Sequence, residues 1–377
     1  MTDAPSGPAA PALRTPICDL FGVRYPVVQT AMGYVAGARL VSATANAGGL
    51  GIIAGATLSM DELVATIRRT RERTDAPFGV NLRADAVDAS ERVDLLIRER
   101  VRVASFALAP KPDLIKRLKD AGIVVVASVG ARRHAEKVAA WGVDAIIVQG
   151  GEGGGHTGPI PTTLLLPQVV DAVDVPVIAA GGFFDGRGLV AALAYGAAGI
   201  AMGTRFLLTS DSPVSPAVKQ RYLDASLTDT VVTTALDGVP QRLLRTEFVD
   251  VLERSGPLRR LVRAARSAAA FRRETGLRWR DLVAEGWAMR RSRGLSLSQV
   301  LLAANTPALL RATMVDGRAD VGVMATGQVV GLIDDLPSCA ELIERIMREA
   351  SEVLHRLADA SRPDRVDRPD DGDREPM

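Results

Sequence analysis

Repetition is the strongest constraint on this chain. Between residues 26 and 206, eight short apolar runs recur, and each is followed by a segment of helical periodicity. The runs are 26–32, 50–55, 78–83, 101–108, 123–129, 145–149, 176–182 and 199–206. Most are continuous in Val, Ile and Ala rather than alternating, as parallel strands are when both faces are covered. Segments 38–47, 59–71, 85–100, 112–121, 132–141, 163–173, 187–195 and 213–225 carry apolar residues at helical spacing. Ser59 and Glu62 have the spacing of a capping box, and Gly122 and Gly142 fall where helices end. Strand starts recur about every 22 to 31 residues, the size of a βα unit. Eight such units predict an α/β fold, a (β/α)8 TIM barrel over residues 17–230. An open doubly wound sheet has the same element order, and strand pairing is invisible in sequence.

With 377 residues, 47% hydrophobic and 24% charged, the chain can bury a large core. A net charge of +2 is too balanced to point to nucleic acid. Cys18 and Cys339 lie far apart with no metal-like spacing, which argues against zinc or a disulfide framework. Both read as small buried hydrophobes in a reducing, cytoplasmic setting. No run is long enough for a membrane span, and residues 1–16 lack the pattern of a secretory signal. Residues 1–16 and 361–377 read as disordered tails.

After residue 225 the pattern changes. Residues 231–245 are Thr-rich and strand-like, and 247–294 read as amphipathic helices rich in arginine and poor in acids. A further helix is expected over 295–311, and a last one from 338 to about 357. The expected organisation is a helical lid over 231–310, laid across the barrel mouth, with 311–360 returning to the barrel. Its arginines are either a solvated face or a wall that binds a phosphorylated substrate such as an acyl-CoA.

In a TIM barrel, function gathers at the C-terminal ends of the strands. The sixth run ends in Gln149, then Gly150-Gly151-Glu152-Gly153-Gly154-Gly155-His156. Glycine lets a backbone approach a ligand closely, and a flexible linker would not follow a buried run and end on an imidazole. His156 is the acid/base candidate, since a general base near neutral pH is most often His. His134, among Arg and Lys, reads as a solvated helix position. Glu152 either assists directly, points to solvent or bonds loop amides.

The seventh and eighth runs end in Gly181-Gly182 and Gly203-Thr204, where backbone amides could meet a phosphate ahead of a helix. Such a cup suits a mononucleotide. Asn81 and Gln149, which both donate and accept hydrogen bonds, suit the edge of a flavin ring. Gly186-x-Gly188-x-x-Ala191 matches a loose dinucleotide fingerprint but lacks the following acidic residue, and is assigned to packing of the seventh helix.

Several segments together resemble the nitronate monooxygenase family, formerly called 2-nitropropane dioxygenases, which includes flavin-dependent enoyl-carrier-protein reductases. They are Pro26-Val27-Val28-Gln29-Thr30-Ala31-Met32, Gly79-Val80-Asn81, the stretch from Gln149 to Gly158, Ala180-Gly181-Gly182 and Met202-Gly203-Thr204-Arg205-Phe206. The resemblance implies FMN near Ala31, Met32, Asn81, Gln149, Gly154, Gly181, Gly182, Ala201, Met202, Gly203 and Thr204, with His156 catalytic.

Residues 35–51, 102–111, 182–188 and 334–339 resemble an actinobacterial branch of that family associated with steroid-ring degradation, the IpdC type. That resemblance implies oxidation or reduction of a C–C bond in a bicyclic CoA thioester, with NAD(H) as co-substrate. A homodimer is an assembly such a chain could form. The expected alternatives are a nitronate monooxygenase using O2, and a flavin-binding protein without turnover.

Overall fold

The computed structural model describes residues 13–254, 309–318 and 323–361. Eight parallel strands close into a barrel. They are β1 (Val27–Gln29), β2 (Leu50–Ile53), β3 (Gly79–Arg83), β4 (Val103–Ala107), β5 (Val124–Val129), β6 (Ala145–Gln149), β8 (Val177–Ala180) and β9 (Gly199–Met202). Between β6 and β8 the chain makes a two-residue strand, β7 (Gly155–His156), outside the barrel. Closure is made by β9 against β1, with Val27 opposite Ile200 and Gln29 opposite Met202. The expected barrel is therefore formed, and the open sheet is excluded.

Side chains on each strand point alternately to the barrel axis and to the helices. The inner set is Val28, Leu50, Ile52, Val103, Val124, Val126, Ala145, Ile147, Ile178, Ala180 and Ala201, packed as one apolar cluster. The N-terminal end is plugged by α1 (Pro16–Phe21), whose Ile17 and Phe21 are wholly buried in that cluster. Each contributes about 1.5–3 kcal/mol by removal from water. The outer set, including Val80, Leu82, Val125, Ile146, Val148 and Ile200, meets the helices.

The helices follow the expected segments: α2 (Ala38–Asn46), α3 (Met60–Arg71), α4 (Ala89–Arg98), α5 (Pro112–Asp120), α6 (Arg132–Ala140), α7 (Thr162–Val170) and α8 (Gly186–Ala194). After β9 come the short α9 (Thr204–Leu207) and α10 (Pro216–Leu223). The Ser59–Glu62 capping box at α3 is formed in both directions. Gly122 and Gly142, just past α5 and α6, take the left-handed conformation with φ of 74° and 90°. Cys18 and Cys339 are both free and buried, and burial pushes the Cys339 thiol up to about 12.

Residues 230–254 depart from a wholly helical lid. A hairpin, β10 (Thr230–Thr233) and β11 (Gln241–Leu244), precedes α11 (Glu247–Arg254), so the strand-like reading of 231–245 holds in part. The arginine-rich stretch 255–294 and most of the helix expected over 295–311 lie outside the described residues. The last helix, α12 (Cys339–Ala360), opens on a Ser338–Glu341 capping box and packs on α8 and α2.

The loose fingerprint at Gly186 proves to be a packing device. A Cβ there would lie 2.5 Å from Glu349 Cβ and from the Ile346 carbonyl oxygen of α12. The Gly186 N–H donates to Glu349 Oε2 at 2.9 Å. Ala is ordinarily the better helix former. Here, Gly186→Ala is expected to destabilise by about 1–3 kcal/mol through overpacking, read as a thermal midpoint lower by several degrees. An unchanged midpoint would show that the two helices have room to separate.

Candidate active site

Every strand delivers its C-terminal end to one rim. On β3 the alternation turns Asn81 toward the axis, between the outward Val80 and Leu82. Ser105 and Gln149 follow the inward residues Val103 and Ile147 in the same way. Asn81 Nδ2 donates to the Ser105 carbonyl at 3.3 Å. An apolar barrel floor is thus topped by neutral polar groups.

The β8 and β9 ends lie side by side, with Ala180 opposite Ala201. Gly181 and Gly182 have φ of 98° and 82°, a conformation that glycine alone adopts readily. Gly203 sits against β1: a Cβ on it would lie 3.3 Å from Thr30 Oγ1 and 3.6 Å from Met32 Sδ. The N–H groups of Gly181, Gly182, Gly203 and Thr204 donate no hydrogen bond among the described residues. Undonated N–H groups at two adjacent strand ends suit an anion such as a phosphate.

Ala31 and Met32 follow β1 on the same rim, and Ala201 lines the inner cluster. Met202 turns outward into the helix-facing core, and its carbonyl accepts the Thr30 N–H at 3.1 Å. Its side chain therefore faces away from the barrel axis.

The glycine loop is held at several points. Gly150, as a side chain-free residue, lets Thr162 at the start of α7 come close; Thr162 Oγ1 donates to Glu152 Oε2 at 2.6 Å. The Thr162 N–H also donates to Glu152 Oε2, at 3.0 Å. The Glu152 carboxylate is thus bonded by the first residue of α7 rather than by an amide of its own loop. Gly153 leaves room for Gln149, whose Nε2 donates to the His156 carbonyl at 2.8 Å. Gly154 passes beside Thr326-Gly327, where a Cβ would lie 2.6 Å from Gly327 N. The Gly327 N–H in turn donates to Thr204 Oγ1 at 2.9 Å.

His156 is half-exposed at the rim, on β7, which adds antiparallel to β11 with His156 opposite Gln241. The Arg242 guanidinium donates to the Gly151 carbonyl at 2.9 Å through Nη2 and to Thr230 Oγ1 at 2.8 Å through Nη1. Burial lowers the Arg242 pKa from its ordinary value, against the opposing charge of Glu152.

Asp237, in the turn between β10 and β11, meets the imidazole: His156 Nε2 and Asp237 Oδ2 are 2.7 Å apart. Burial alone would raise the Asp237 carboxyl. The hydrogen bond and charge of His156, with the Val239 N–H at 3.1 Å, outweigh it and hold the carboxyl below its ordinary value. Gln241 approaches the same carboxylate, yet its Nε2 forms no hydrogen bond of good geometry and stays buried.

Sequence reasoning missed Asp237, Thr162 and the Thr326-Gly327 contact. Asp237-Gly238 carries a turn signal. Nothing local says which imidazole the turn will face. His134 is exposed on α6, as expected. No group of three or more potential metal ligands occurs among the described residues, and none of their helices is long and apolar enough to cross a membrane.

A profile of the family described as "Nitronate monooxygenase" matches residues 14–93 and 84–349. A Mycobacterium tuberculosis protein named "(3aS,4S,5R,7aS)-5-hydroxy-7a-methyl-1-oxo-octahydro-1H-indene-4-carboxyl-CoA dehydrogenase" is 64% identical over 341 residues, 90% of this chain and 96% of that protein. A Rhodococcus jostii protein of the same name is 61% identical, over 92% of this chain and 98% of its own length. Among solved structures, FabK from Thermotoga maritima is similar at a TM-score of 0.74 and 34% identity, covering 92% of this chain and 99% of that one.

Thr162→Val should test the clamp on the glycine loop. It removes the hydroxyl that donates to Glu152 and, at 3.2 Å, to the Gly181 carbonyl. A hydrogen bond to a charged group is worth about 1.5–3 kcal/mol, so the thermal midpoint should fall. The exposed neighbour Thr163→Val should leave it unchanged. Equal midpoints for both variants would remove the clamp from the account.

Proposed function

The chain belongs to the nitronate monooxygenase family, and from that premise we propose an FMN-dependent oxidoreductase acting on the α,β C–C bond of a bicyclic CoA thioester. The substrate would be an oxo-hydrindane carboxyl-CoA of steroid-ring degradation, with NAD(H) as electron partner. The observation that carries this reading is the identity of 64% over 90% of the chain with a dehydrogenase named for such a thioester. The His156–Asp237 pair at the barrel rim agrees with it, since a hydrogen α to a thioester carbonyl is acidic enough for an imidazole to remove.

The residues present fit a flavin mononucleotide. Gly181, Gly182, Gly203 and Thr204 would hold its phosphate through undonated N–H groups. Asn81 and Gln149 would meet the ring edge, and Ala31, Met32, Gly154, Ala201 and Met202 would border it, Met202 through its backbone. When bound, the flavin supplies the two-electron acceptor or donor for the β carbon.

His156 would take or return the α proton from the open side of the rim. Gln149, bonded to the His156 carbonyl, ties the ring-edge contact to the position of the base. The narrow passage of Gly154 past Gly327 keeps the loop close to the barrel mouth. Binding the CoA phosphates falls to the arginine-rich segment 255–294, which lies outside the described residues. Remote binding of that kind would serve to position the thioester.

Flavin bleaching without oxygen tests the reading. The purified yellow protein should be bleached by an oxo-hydrindane carboxyl-CoA or by NADH, and scarcely by propionate nitronate. His156→Ala should retain the flavin spectrum and slow thioester-driven bleaching by about 10²–10⁴-fold. Bleaching by the nitronate alone would replace this function with nitronate oxidation, and bleaching by none of them would leave a binding protein.

A further inference from the structure

Resting on the reading of His156 as the base, we propose that Asp237 is its positioning residue, fixing the imidazole as the Nε2–H tautomer so that Nδ1 carries the lone pair. The two oxygens of Asp237 have separate partners: Oδ1 accepts the Val239 N–H at 3.1 Å, and Oδ2 faces His156 Nε2 at 2.7 Å. The carboxylate is thereby oriented before the imidazole meets it. Its side chain is 12% exposed and that of His156 59%, so the carboxylate lies behind the ring and the ring meets solvent. An ionised carboxylate only accepts hydrogen bonds, so a neutral imidazole against Oδ2 must carry its proton on Nε2.

The backbone holds the pair together. Gln241 pairs with His156 in the β11–β7 ladder, and the Thr157 N–H donates to the Pro240 carbonyl at 3.1 Å. These contacts bracket the Asp237 turn and the His156 strand from both sides. Among the described residues, the nearby charged groups Glu152 and Arg242 are committed elsewhere. Glu152 is bonded by Thr162, and Arg242 donates to Gly151 and Thr230.

In the reaction, the substrate Cα–H bond breaks and an Nδ1–H bond forms. The electron pair stays on the substrate as the enolate, and the imidazolium keeps its Nε2–H on Asp237. The reverse transfer protonates Cα from Nδ1. Asp237 touches no reacting atom and acts only through His156.

The test uses the full-length protein labelled with ¹⁵N-histidine. The chain has three histidines, and His134 and His355 are both exposed on helices, so the His156 signals can be assigned by their loss in His156→Ala. Long-range ¹H–¹⁵N correlation on the neutral ring should show Nε2 protonated and Nδ1 bare in the wild type. Asp237→Asn keeps the shape of the side chain. Its carbonyl should stay on the Val239 N–H and its NH2 should face Nε2, forcing the Nδ1–H tautomer. Thioester turnover should then fall by about 10²–10⁴-fold, the scale of a wrong-tautomer histidine, mainly in kcat with KM little changed.

A wild-type ring protonated on Nδ1 would overturn the proposal without any variant. So would an Asp237→Asn protein whose tautomer is unchanged. A tautomer that flips while turnover stays intact would support the role of Asp237 and remove His156 as the base, which separates the two failures.

Discussion

Every barrel strand, including β1 and β9, has a hydrogen-bonding neighbour on both sides because β9 returns to β1. A parallel sheet left open would present two rows of unpaired backbone groups. Closure removes them and brings the ends of distant strands to one rim. The register Gln29–Met202 and Ala180–Ala201 sets the first, seventh and eighth barrel strands beside one another. The small residues after those strands then surround one place. Apolar packing below, from Val28, Ile147 and Ile178 down to the Phe21 plug, makes that rim a rigid platform.

On the platform, backbone proximity replaces side-chain bulk. Gly150, Gly153 and Gly154 each stand where a Cβ would strike Thr162, Gln149 or Gly327. Three remote parts of the chain therefore converge on the loop after β6: the start of α7, the β10–β11 hairpin and the 326–327 turn. The hairpin contributes most, because β11 converts Gly155–His156 from loop into strand and carries the Asp237 turn with it. An imidazole that would otherwise swing freely is held by main-chain pairing on one side and a buried carboxylate on the other.

Much of this was legible in the residues. The eight runs and their helices follow from apolar continuity and period, which are local properties. Three of the eight runs, 78–83, 123–129 and 145–149, end where their strands end, while the runs at 26–32, 50–55, 176–182 and 199–206 extend two to four residues past theirs, because small residues continue beyond the last ladder pairing. The doubtful fingerprint at Gly186 was rightly assigned to packing, though its partner α12 lies about 160 residues on in the chain. Glu152 and Met202 show the opposite case. Their neighbours in sequence suggest the site, and only their tertiary contacts show a carboxylate bonded by the first residue of α7 and a thioether turned into the outer core.

The sequence by itself determined the eight βα units and the glycine loop that follows the sixth strand and carries His156. Those depend on local pattern and on residue chemistry. The tertiary structure alone decided that the sheet closes, that Gly155–His156 is a strand, and that Asp237, 81 residues beyond the histidine, is the group behind it. The physical reason is that each is a pairing between distant segments. An Asp-Gly turn announces a reversal of the chain, but the imidazole it faces is set by which edge the hairpin joins.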